Sequence, residues 1–385
     1  MPRDSTGPRS AGQRFYRPEL DGLRFFAFLA VYVEHTLGSS GLGTTHHRLP
    51  NWLGELVGAI STAGNFGVDL FFVLSSYLIT ELLLRERGAR GRLDVKAFYI
   101  RRMLRIWPLY FFFVALAYGL SLALASEALT WKHVLAYLLF VGNWMYFLAP
   151  VTTVAGPLWS VSLEEQFYLI WPWVVRRLDL RHIAYCAGAM MVLAAVVSVL
   201  LTALQPQADW VSKNSFTRID GIAVGALLAL GLQGRIPALS AALRAVLLAA
   251  SIALLLWVAY AFGLFQPGVG LLAVATGWPL AAVACGGVLL SALGSSGRWT
   301  APLRGPVLVY LGRISYGLYV YHELVLKVAA YWLPQQGASI PQMLAYMGLG
   351  LAGTIPIAAA SYRWLELPFL RLKRERFTMV LSRPD

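Results

Sequence analysis

No polar stretch in this chain is long enough to build a soluble domain, and that scarcity decides its class. Only 13% of the 385 residues are charged, where a soluble domain carries about a quarter. Cysteine is rarer still. Cys186 and Cys285 both lie in apolar stretches beside small residues, which excludes a disulfide framework and offers no metal-ligand spacing. Internal repeats and low-complexity runs are missing as well. What remains is apolar: 58% hydrophobic residues and a mean hydropathy of +0.62. These residues fall in blocks of about twenty separated by arginines, as bilayer-spanning helices require. The sequence therefore predicts an all-α, polytopic membrane helix bundle in one domain, residues 15–372. Cytoplasmic tails at 1–14 and 373–385 flank it; the first is rich in Pro, Gly, Ser and Arg and reads as disordered. No short apolar region with a cleavage site precedes the first span, so no cleaved signal peptide is expected.

The charge that is present is one-sided, at +13 with an isoelectric point near 9.9. In a soluble protein that balance suggests nucleic acid. Here the arginines stand at the ends of apolar segments, so they set topology, and no nucleic-acid partner is expected. Apolar segments run over 22–38, 66–84, 106–125, 133–149, 164–175, 183–204, 219–233, 245–264, 269–293, 306–332 and 342–362. The basic clusters at 3–17, 85–105, 176–181, 235–244, 298–304 and 371–376 all belong inside. Parity holds only if one segment between 106 and 175 turns back, and 133–149, interrupted by Asn143 and followed by Pro150 and Pro157, is the candidate. About ten crossings with both termini cytoplasmic follow, with exterior loops at 39–62, 205–217, 265–268 and 333–341. After a turn at Gly88–Arg92, Lys96–Arg105 reads as an amphipathic stretch on the membrane surface.

Ionisable groups inside spans are costly, so each is a functional candidate. Arg24 and His35 are eleven residues apart, close to three helical turns, on one face and about 16 Å apart along the axis. Asp21 and Glu34 flank them. Arg101, Arg102 and Arg105 stand at a basic mouth, with Arg102 and Arg105 one turn apart; they are either a positive-inside stop or an anion cradle. In the stretch Trp159-Ser160-Val161-Ser162-Leu163-Glu164-Glu165, Ser162 reads as an N-cap and Glu165 as its capping-box partner. That leaves Glu164 as an acid/base or histidine-orienting candidate. A polar, aromatic stripe from Gly312 through Tyr319 ends in His322, with interhelical packing the alternative. Asp69, just before Ser75, is a carboxylate in a span with no evident partner.

Taken together and in order, these motifs resemble the membrane acyltransferase-3 family, O-acyltransferases that modify polysaccharides, lipopolysaccharide and some antibiotics. Arg24 and His35 fit its Arg, ten residues, His signature. Phe71–Ile79 is similar to its FFxLSGYLI stretch, with Ser76 in place of the usual Gly. Arg102 and Arg105 match its RxxR motif, and Leu158–Tyr168 its LWSLSxEEQFY block. Arg218–Ala229, Leu311–His322 and Ser361–Pro368, which contains Glu366, resemble later blocks. The resemblance runs from Tyr16 to Leu372. It implies an acyl-CoA co-substrate, most often acetyl-CoA, entering from the cytoplasm, with no tightly bound cofactor and no metal. The acceptor would be a hydroxyl of a sugar, glycolipid or macrolide. The donor phosphates would meet Arg102, Arg105, Arg24 and Arg101, and the thioester would reach His35 as general base, oriented by Glu164. Direct transfer is the simpler route; an acyl-serine at Ser75, Ser160 or Ser162 is the alternative. No hydrolase-like second domain of the kind some members carry is visible, so a stand-alone transferase is expected. The Ala-, Arg- and Gly-rich usage points to a GC-rich bacterium, and the expected location is its cytoplasmic (inner) membrane. The competing class is a transporter or flippase that uses the same buried polar groups for passage. Oligomeric state is not legible.

Overall fold

The computed structural model describes residues 16–40, 51–124, 129–149, 153–204, 211–266, 268–294, 301–333 and 339–377, and among them the regular elements are all helical. The chain opens with α1 (Pro18–Ser40), α2 (Asn51–Gly64), α3 (Phe66–Arg90) and α4 (Val95–Ala123). A broken stretch follows: α5 (Trp131–Leu138), a 3-10 turn at Gly142–Trp144 and the single turn α6 (Met145–Leu148). Then come α7 (Leu158–Arg177), α8 (Leu180–Leu204), α9 (Ile219–Leu232), α10 (Ala241–Phe262) and α11 (Leu271–Ala292). The chain closes with α12 (Pro306–Arg313), α13 (Ser315–Trp332), α14 (Ile340–Ser361), a π turn at Tyr362–Glu366 and α15 (Leu367–Phe377).

Among the described residues, six helical stretches are long and apolar enough to cross a membrane: Trp52–Arg90, Val95–Ala123, Leu180–Leu204, Ala241–Phe262, Leu271–Ala292 and Ile340–Leu372. α1, α7 and α13 fall outside this set because polar residues dilute their hydropathy, and α9 because it is short. Each of these four carries buried residues: Phe28 and Tyr32 on α1, Ser162 on α7, Ala226 on α9 and His322 on α13 are all fully enclosed, as is much of α3 within the apolar set.

Lipid tails are as apolar as leucine, so helices in a bilayer are held by close packing and hydrogen bonds rather than by the hydrophobic effect. α3 and α9 meet most extensively, at Gly225, where an added Cβ would lie 2.0 Å from Ser76 Oγ and 2.3 Å from the Val73 carbonyl oxygen. The serine at position 76 is accommodated because Gly225 opposite it has no side chain; its hydroxyl donates to the Val73 carbonyl at 3.3 Å. A second close approach fixes the start of α1: a Cβ on Gly312 would fall 1.8 Å from the Asp21 carbonyl oxygen. Cys285 is a packing residue, buried with its thiol on the Phe66 carbonyl.

Several expectations need correction. Residues 51–64, read as exterior loop, form α2; residues 41–50, 205–210 and 334–338 of the expected loops lie outside the described residues. Lys96–Arg105 is no separate surface helix, since Asp94 caps α4 through the Ala97 amide at 2.9 Å and the helix runs unbroken past Pro108. Segment 306–332 breaks at Ile314 into α12 and α13. Ser162 is inside α7, which begins four residues earlier, so it caps nothing; its hydroxyl donates to the Leu158 carbonyl at 3.1 Å. α15 runs on to Phe377, into the stretch read as a tail. Segment 133–149 is indeed interrupted. An eight-residue helix covers about 12 Å, far short of a bilayer core of about 30 Å. Gln166 of α7 holds the interruption by donating to the Phe140 carbonyl at 2.7 Å and to Asn143 Oδ1 at 3.0 Å.

Candidate active site

Three cavities follow one another along α1. The first, about 410 Å³, is a mouth lined by Asp21 and Arg24 of α1, Arg102 and Arg105 of α4, Arg313 of α12 and Ser75 of α3. Asp21 organises its edge. It accepts from Tyr16 at 3.0 Å and lies 3.6 Å from Arg24, while Arg313 donates to Tyr16 at 2.9 Å. Arg102 sits over the rings of Phe98 and Tyr168, and its buried Nε has no hydrogen-bond partner. Guanidinium groups that share one cavity repel one another, and planar guanidinium forks are suited in geometry to phosphate oxygens.

Arg101 does not join them. It is buried on another side of α4, bonded to Glu86 at 2.9 Å, so its charge is already matched. Arg101 thus lines neither the mouth nor the throat with the other three arginines. Glu366 ends the π turn, buried, with Oε1 unpartnered and within the field of Arg105.

The second cavity is a throat of about 90 Å³ that shares Arg24, Arg102, Arg105 and Ser75 with the mouth. Ser75 bonds both the Tyr168 hydroxyl and the Glu164 carboxylate. Glu164 thus belongs to the throat beside the arginines and does not meet His35, contrary to the pairing expected from sequence. Its neighbour Glu165 points away, accepting from Trp107 Nε1 at 3.0 Å. At the inner end of the throat Tyr319 forms the wall. Its hydroxyl is held 2.8 Å from Ser160 Oγ and 3.1 Å from the Pro157 carbonyl.

Tyr319 also lines the third cavity, a chamber of about 270 Å³ that contains His35, Glu34, Glu323, Trp159 and Arg218. His35 Nδ1 lies 2.9 Å from both the Val31 carbonyl and Glu34. A carbonyl only accepts, so Nδ1 carries the proton and Nε2 is the nitrogen that faces Glu323. Nε2 lies 3.2 Å from Glu323 Oε1. Behind it His322 presents its ring edge-on at 4.9 Å and donates from Nδ1 to the Tyr319 carbonyl at 2.6 Å, which leaves its buried Nε2 without a partner. Asp69, partnerless in the sequence, receives Arg218 at 2.7 and 2.6 Å in a buried pair, and the guanidinium stacks 3.9 Å over Trp278.

Sequence reasoning missed Glu323 and Arg218. Glu323 follows His322 directly and is a carboxylate in a span, so the rule that singled out His35 would have found it. Arg218 opens a block already compared with the family.

The family profile described as an acyltransferase domain matches residues 17–362. The chain is 30% identical over 379 residues to the "Putative peptidoglycan O-acetyltransferase YrhL" of Bacillus subtilis, covering 92% of this chain and 55% of that protein. It is 25% identical over 389 residues to "O-acetyltransferase OatA" of Staphylococcus aureus, covering 95% and 59%. It therefore spans little more than half the length of these curated relatives. No solved structure matches it. The order of motifs, the helical bundle and the profile agree: the chain belongs to the acyltransferase-3 family.

Proposed function

We propose that this protein is an integral-membrane O-acyltransferase that moves an acyl group, acetyl in the simplest case, from acyl-CoA to a hydroxyl of a carbohydrate. One observation carries this reading: the arginine mouth, the throat and the His35 chamber share lining residues end to end, with Tyr319 common to the last two. The donor's phosphates bind Arg24, Arg102 and Arg105. Its pantetheine arm passes Tyr319 and brings the thioester to His35. Nε2 removes the acceptor's hydroxyl proton while Glu34 and the Val31 carbonyl hold Nδ1–H, and Glu323 stabilises the imidazolium. The alkoxide oxygen attacks the thioester carbonyl, the C–S bond breaks, and the departing thiolate takes the proton from His35. Glu164 and Ser75 then work on the donor in the throat rather than on His35.

The same reading extends to topology. The six apolar stretches together with α1, α7, α9 and α13 make ten crossings, with residues 131–149 turning back. Both termini face the cytoplasm of a bacterial cell, and the mouth opens there, where acyl-CoA is made. The acceptor we favour is a cell-wall sugar, by analogy with the peptidoglycan in the name of the Bacillus relative.

Detergent-purified protein given radiolabelled acetyl-CoA and N-acetylhexosamine oligosaccharides is expected to label the sugar. Glu323→Gln is expected to lower kcat at unchanged CoA affinity. If neither sugar labelling nor acetyl-CoA turnover occurs, the proposal fails.

A further inference from the structure

A fourth cavity lies one helical turn along α13 from the His35 chamber, on the outer surface of the bundle where Val328, Tyr331 and Trp332 are exposed. It is a groove of about 540 Å³ between the end of α4 (Ala117, Leu120, Leu124) and the end of α13 (Leu324, Val328, Trp332). Its walls are apolar, and among the described residues that line it Lys327 is the sole charged side chain. Two contacts join it to the chamber. On α13, Glu323 faces the chamber while Leu324 and Lys327 face the groove, and Lys327 acts electrostatically on Glu323. On the segment before α7, Thr153 lines the groove and Gly156 lines the chamber, where an added Cβ would stand 3.1 Å from Glu323 Oε2.

A groove of this kind suits a hydrocarbon chain, and Lys327, an exposed lysine on its lining, suits the phosphate that ends such a chain. Lys327 is four residues beyond Glu323, a rise of about 6 Å. A phosphate on Lys327 would set a sugar joined to it beside the Glu323–His35 pair, about one ring away. Trp332 and Tyr331 stand exposed at the open end, as aromatic side chains do where a bundle meets the membrane surface.

From this we infer that the acceptor reaches the site from within the membrane as a lipid-linked glycosyl phosphate, its chain in the α4–α13 groove, its phosphate on Lys327 and its sugar in the His35 chamber. The inference rests on the acyltransferase reading and adds the form in which the sugar arrives. Ordinary bilayer phospholipid is the competing occupant.

The test compares two acceptors for the protein in nanodiscs: one sugar as a methyl glycoside and as a long-chain isoprenyl phosphate. Val328→Trp, which fills the groove, is expected to raise KM for the lipid-linked acceptor at least tenfold while KM for the glycoside and for acetyl-CoA stays fixed. Lys327→Gln is expected to do the same and Lys327→Arg to restore it. Equal effects on both acceptors, or an unchanged KM for the lipid-linked one, would mean that bilayer lipid fills the groove and would overturn the inference. A photoreactive long-chain alkyl monophosphate provides a readout without turnover. It is expected to crosslink at Val328 in competition with unlabelled alkyl phosphate and not with phosphatidylcholine. Displacement by phosphatidylcholine would overturn the inference whether or not the protein transfers acetyl groups, and failure of all transfer with specific crosslinking intact would sink only the acyltransferase reading.

Discussion

The helices at the rim of this bundle and those at its centre follow opposite rules. α8 and α10 have a mean hydropathy of 2.4 over their best windows yet bury only 22% and 17% of them. α1, α7 and α13 miss the same threshold and carry most of the candidate site. Hydropathy measures what lipid will accept, so it finds the rim most readily. The centre holds polar groups because each can be given a partner there: Asp69 has Arg218, Glu165 has Trp107, and His35 has two carboxylates. Arg102 differs, since its buried Nε has no hydrogen-bond partner, and it is one of the groups to which the proposal gives the donor's phosphates.

Four measurements would break or sharpen that contrast. The largest effect is expected at the centre. His35→Ala should cut kcat about 10²- to 10⁴-fold, the span of general base catalysis, with acetyl-CoA affinity unchanged in a direct binding assay. Next, Asp69→Asn strips the buried Arg218 of its counter-charge. It should destabilise the protein by about 3–5 kcal/mol, read as a lower unfolding midpoint in detergent. A smaller loss is expected at the mouth: Arg102→Ala with Arg105→Ala should raise the KM for acetyl-CoA, and the wild-type advantage should shrink as salt is added. The least is expected at the rim. Val246→Ala on α10, where the side chain is 63% exposed, should change stability by less than about 0.5 kcal/mol. A rim variant that matched a central one would erase the distinction.

This contrast also explains what could be read from the sequence. The expected spans 183–204, 245–264 and 269–293 lie within a few residues of α8, α10 and α11, because long apolar runs announce themselves. α2 was hidden because Gly54, Glu55, Gly58 and Ser61 interrupt its fourteen residues, which read as a loop. In the site, groupings within one helix were legible: Arg102 with Arg105, and Arg24 with His35. Pairings across helices were not. Asp69 and Arg218 are 149 residues apart, and no spacing rule reaches that far. Glu164 was paired with His35 because both are ionisable and in spans, but α7 starts at the His35 chamber, which Trp159 lines, and Glu164 lies five residues further on, in the throat with Arg24.

The central claim is that one continuous path joins the arginine mouth to His35. A cryo-EM structure of the protein with a non-hydrolysable acetyl-CoA analogue tests it most directly. The account predicts the phosphates on Arg24, Arg102 and Arg105, the arm passing Tyr319, and the acetyl group within hydrogen-bonding reach of His35 Nε2. An analogue bound with its acetyl group ending at Ser75 and Glu164, with Tyr319 closed above it, would contradict it.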